Sequence, residues 1–193
     1  MVSFVIKYHY NINMAVSLKI FLDIITFSKG PQDLPASRGL MNAIIVLNLL
    51  VALISFMPQT IVAMNIANAI IFIIVTNLFI KTALTIRDSD SDGNNFSARY
   101  VQVCTSILGI HALFVLIQGT LIALFTNSDT ISADAIPSDV AIIFLLVSLY
   151  AWFVNGHIFK NALDTSMIIG LGVSLLHGIA IIFVTLVLIQ IFA

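Results

Sequence analysis

Residues 167–192 read MIIGLGVSLLHGIAIIFVTLVLIQIF, a stretch without one charged side chain. Wound as an α-helix it would extend about 39 Å, more than the roughly 30 Å of hydrocarbon in a bilayer. Four further apolar segments of this kind precede it, at 40–56, 60–80, 100–125 and 140–159. In lipid every backbone N–H and C=O must be paired internally, and a helix does this within one segment. The expected fold is therefore all-α, a polytopic transmembrane helical bundle of five spans.

Composition agrees. The chain of 193 residues is 60% hydrophobic and 9% charged, whereas a soluble domain carries about a quarter charged residues. All nine acidic residues are Asp and Glu is absent; Asp favours caps and turns over helix interiors, so the charges punctuate the spans. With a net charge of -1 and no basic run, nucleic acid is excluded as a partner. The single cysteine, Cys104, has no partner for an internal disulfide and reads as a small apolar packing residue.

Two parts follow along the chain: a cytoplasmic N-terminal segment, 1–38, and a five-span membrane domain, 39–193. Residues 1–13 are too short and mixed to form an element, and Met14 opens a more regular pattern that makes it a candidate translation start. In 14–28 Leu18, Phe21, Ile24 and Ile25 fall near one face, with Lys19, Asp23 and Thr26 displaced from it. Lys19 and Asp23 would be costly at mid-depth, so this is expected to be an amphipathic helix lying in the interface or packed on the cytoplasmic ends of the bundle. Gly30-Pro31 should end it, and Ser37 is placed to cap the next helix. Residues 57–59 leave room only for a tight turn between the first two spans. The polar linkers 81–99 and 126–139 read as loops, the first flexible after a short helical extension.

Five spans from a cytoplasmic N-terminus place all eight Lys and Arg on one side and Asp129, Asp134 and Asp139 on the other. That is the distribution the positive-inside rule describes, and it puts the C-terminus outside. The predicted spans contain no charged residue, which argues against a proton pump or ion-coupled carrier built on buried carboxylates. Asn65 and Asn68 share a face of the second span, with Asn42 and Asn48 on the first. His111 and His177 sit ten or so residues into their spans, at similar depth near the midplane, where they could face each other. These four, Asn65, Asn68, His111 and His177, are the candidate intramembrane polar site. The asparagines serve either interhelical hydrogen bonding or a polar ligand path; the two histidines serve hydrogen bonding, a proton relay or, less readily, a metal site. Shared metal coordination by Cys104 and His111 is excluded by an axial separation of about 10 Å, and no catalytic, cofactor or metal motif is present. His157 reads as interfacial, and Asp164 and Thr165 as caps of the last helix. Gly170, Ser174 and Gly178 recur at every fourth residue and form a small-residue strip for close helix packing, more readily against another helix of the chain than against a second copy.

The stretch LDIITFSKGPQDLPAS at 22–37 resembles a family of small, uncharacterised inner-membrane proteins of proteobacteria, which implies a bacterial inner membrane. More distantly, five spans after a cytoplasmic segment resemble the Yip1-type membrane proteins, whose eukaryotic members act in trafficking and GTPase recruitment. GPQDLP shares residue types with that family's first-span motif but not their order, so no functional residue carries over. Tiny loops, uncharged spans and the packing strip favour a non-enzymatic scaffold, accessory or assembly factor. Its expected partners are membrane lipid and a membrane protein or second copy bound through the fifth span, with no cofactor. The alternative is a small carrier or channel for a weakly polar solute using His111 and His177. A lipid- or quinone-directed enzyme would need polar groups gathered at the interface, and the cytoplasmic loops offer only solvated Asp.

Overall fold

The protein is described from a computed structural model covering residues 18–54, 62–90, 95–126 and 138–192. Among these residues every regular element is helical: α1 (18–25), α2 (Arg38–Leu53), α3 (Val62–Ser89), α4 (Tyr100–Thr126), α5 (Ser138–Leu163) and α6 (Met167–Phe192), with 3-10 turns at Pro31–Asp33 and Phe96–Arg99. Four helices are long and apolar enough to cross a membrane, over Val62–Ser89, Phe96–Leu121, Val140–Leu163 and Met167–Leu188. The predicted span 40–56 forms a shorter apolar helix of 16 residues, Arg38–Leu53, about 24 Å long. Residues 1–17, the turn at 57–59 and the loop carrying Asp129 and Asp134 lie outside the described residues.

α4 is the hub of the bundle. Residues 103–110 are buried without a break, so two full turns are enclosed on every side. α2, α3 and α5 pack on α4, and α6 packs on α5 and α3. The side of α4 left by these neighbours is covered by α1, whose Ile20, Phe21 and Ile24 join a core with Ile107, Ile110, Phe114, Val154 and Ile158. Gly109 makes this possible, because a Cβ there would collide with the Phe21 ring. α1 thus presents Ile20 together with Phe21 and Ile24 to the bundle, while Leu18, expected on that face, is turned outward.

The segment after α1 is tied down through its carbonyls, which an apolar setting does not leave unpaired. Tyr150 Oη donates to Ile25 O at 2.7 Å, His157 Nε2 to Lys29 O at 2.8 Å, and Gln102 Nε2 to Leu34 O at 2.6 Å. His157 is therefore buried against this segment near the C-terminal end of α5, with 8% of its surface exposed. α1 stops a turn before Gly30-Pro31. Phe27 takes a left-handed φ of 61°, and the Ser28 N–H closes on Asp23 O at 2.8 Å. Ser37 does cap α2, its Oγ accepting from Leu40 N at 3.2 Å. Loss of an N-cap hydroxyl costs about 1 kcal/mol, so Ser37→Ala is expected to lower the unfolding midpoint in mild detergent slightly, and Ala36→Ser to leave it in place.

At the far end of α3 the helix runs on through Ser89, as the helical extension expected after residue 80. Arg87 Nε donates to Leu163 O at 2.9 Å and Arg99 to Asn161 O at 3.2 Å, and both guanidinium groups flank the buried Phe96 ring. The Asp88 carboxylate accepts from the backbone N–H groups of Phe96 and Ser97. These bonds hold the two described ends of the linker, at Arg87–Asp88 and Phe96–Arg99, against α5 and each other. Lys29, Arg87, Arg99 and Lys160 consequently share one end of the bundle, around the C-terminus of α5. The α5–α6 turn departs from expectation. Asp164 adopts a φ of 50° to end α5, so the capping position falls on Ser166, whose Oγ faces Ile169 N at 3.4 Å, and not on Asp164 or Thr165.

Candidate functional site: a polar cavity inside the bundle

In the half of the bundle away from the basic end, α2 to α6 part around a cavity of about 470 Å³, within the range of about 300–1,000 Å³ usual for small-molecule sites. Its polar lining is Asn48 from α2, Asn65 and Asn68 from α3, His111 and Gln118 from α4, and Thr185 from α6; Val51, Ala52, Ala69, Val115, Phe144 and Ile181 supply apolar wall. Among the described residues no charged side chain lines it. An ion would have to leave water without a counter-charge to receive it, so the chemistry suits an uncharged guest.

The floor is built by three residues. Asn48 Nδ2 donates to Ile44 O and Leu108 O, both at 2.9 Å, and its Oδ1 lies 2.9 Å from His111 Nδ1. Phe72 lies flat on the imidazole, with ring centroids 3.6 Å apart and planes 18° from parallel. Asn48 comes from α2 and His111 from the middle of α4, so this polar cluster joins the two helices. Gln118 Nε2 does the same between α4 and α5, reaching Ser148 Oγ at 3.0 Å.

Three of the four expected site residues, Asn65, Asn68 and His111, meet at this cavity. His177 does not. It is 3% exposed, bonded to Thr76 Oγ1 at 3.0 Å, and caged by Phe72, Phe79 and Phe159 at ring distances of 6.1, 5.1 and 5.8 Å. Phe72 lies within ring-contact range of both histidines, but each has its own hydrogen-bond partner. Nothing in the sequence distinguishes Phe72 or Thr76 from neighbouring core residues; Gln118, by contrast, was legible as an uncharged polar residue inside an apolar span. Cys104 is fully buried beside Asn77 Oδ1, which also accepts from Tyr100 Oη at 2.7 Å. Among the described residues no group of three His, Cys or Asp could hold a metal ion.

The small residues of α6 divide. Gly170 lies directly against Gly156 O and Lys160 N of α5, and Ser174 is buried with its Oγ 3.5 Å from Trp152 O. A Cβ on Gly178 would meet nothing within 4 Å. The two helices thus cross tightly near the basic end, and the expected strip is used for two of its three positions. No family model, no curated protein and no solved structure matches the chain.

Proposed function

We propose that this integral membrane protein binds a small, uncharged, weakly polar solute in the cavity between α2 and α6 and acts as a carrier for it. The observation that supports this reading is the cavity itself, with amide and imidazole groups against apolar walls and no charge among its lining residues. A dry, closely packed interior would have favoured a purely structural role. The reading includes α2 as a fifth, short crossing and the basic end as the cytoplasmic side of a bacterial inner membrane, which makes the cavity an outward-facing vestibule. Beneath it the enclosed turns of α4 and the pair formed by Phe72 and His111 close the path, so passage requires the floor to open.

The test is solute entry into vesicles reconstituted with the full chain. Glycerol is expected to enter faster than into protein-free vesicles, and Ala52→Phe, which fills the cavity from α2, to bring entry back toward the protein-free rate. Equal rates with and without protein for both glycerol and urea would reject transport.

A scaffold or assembly role has one observation in its favour. The outer face of α6 is apolar and carries Gly172 and Gly178, where a Cβ would meet nothing, so a partner helix or a second copy has room to approach closely. Co-purification of a stoichiometric companion in mild detergent, lost in Gly172→Leu, would support it.

A further inference from the structure

We propose that the cavity selects for ligands that donate a hydrogen bond, an uncharged O–H or N–H compound with an apolar body whose hydrogen meets Nε2 of His111. This deepens the binding reading above and rests on it.

The argument begins at Asn48. Both partners of its Nδ2 are backbone carbonyls, which can only accept. The amide therefore cannot be flipped, and the atom facing His111 is the oxygen. That oxygen also only accepts, so the hydrogen of the contact belongs to His111 Nδ1. Among the described residues no carboxylate lines the cavity to balance an imidazolium, which favours the neutral ring. With its one hydrogen on Nδ1, Nε2 carries a lone pair.

No protein donor meets that lone pair among the described residues. Among the described residues the buried polar side-chain atoms lacking a partner belong to Trp152, Asn155 and Thr165, not His111, which points Nε2 to the cavity that the ring lines. Phe72 stacked on one face holds the ring plane, and Asn48 holds its rotation. The result is a fixed acceptor in an apolar-walled space. A ligand bearing a hydroxyl or N–H satisfies it, whereas an ether or ketone places acceptor against acceptor and leaves both unsatisfied.

Phenol and anisole separate these cases, because they share a ring and differ by methylation of the hydroxyl. The full chain in nanodiscs, with ¹⁵N-labelled histidine, is titrated with each while the His111 Nε2 resonance and the melting temperature are followed. Phenol is expected to bind about tenfold tighter than anisole, the upper range for one hydrogen bond, and to shift the Nε2 resonance; His111→Phe should remove the preference. Equal binding of the two overturns the donor selection while leaving the cavity reading intact. A preference for phenol with an unmoved Nε2 resonance overturns the role of His111. If neither ligand binds, the selection proposed here fails, and glycerol entry into vesicles then decides separately whether the cavity reading fails with it.

Discussion

Gly170→Val is expected to cost about 3 kcal/mol or more, because its Cβ would fall on Gly156 O and within 2.8 Å of Lys160 N, backbone atoms that no rotamer change can move. Relief requires α5 and α6 to separate where they cross most tightly, which also pulls Ser174 away from Trp152 O. The control lies on the same helix. At Gly172 and Gly178 an added Cβ meets nothing within 4 Å, and replacing a helical glycine by alanine removes about 0.5–1 kcal/mol of unfavourable chain entropy. Gly172→Ala and Gly178→Ala should therefore keep or raise the unfolding midpoint in mild detergent while Gly170→Val lowers it sharply. If all three variants melt together, the close crossing of α5 and α6 is wrong.

Asn48→Leu carries the second large effect. The leucine is close in volume, yet it removes the acceptor for His111 Nδ1 and the donor to Leu108 O at a position only 4% exposed. A buried donor left without a partner costs about 1–3 kcal/mol, and the loss should fall on the α2–α4 contact. Asn68→Leu, on the exposed rim of the same cavity, is expected to change stability by no more than about 0.5 kcal/mol. Protease sensitivity within α2 gives a local readout, since α2 loosened from α4 is more readily cleaved. Equal stability of the two leucine variants would show that the Asn48 network does not hold the floor.

The contrast between Asn48 and Asn68 marks how far the chain could be read before its structure. Both are asparagines in apolar segments, and both were expected to serve hydrogen bonding or a ligand path. Only the packing of α2 on α4 makes one a bridge between helices and leaves the other on a cavity wall. Leu18 and Ile20 make the same point in α1: each is aliphatic, and the choice of buried partner was decided by the gap that Gly109 leaves for Phe21.

Helical character, the apolar segments and the gathering of cations at their ends follow from sequence alone, because they depend on hydrogen bonding and charge within one segment, and lipid penalises any violation there. The Ser37 cap is local in the same sense. Which faces meet is different. In water a helix reveals its inward face by being apolar on that side alone, but in a bilayer the outward face must be apolar too: Ile182 and Phe183 of α6 stay over 60% exposed and are no more polar than the residues packed inside. Rotation and pairing are then set by close fit and a few interhelical bonds, such as Gly170 on Gly156 and His111 on Asn48, and these exist only once all the helices are assembled.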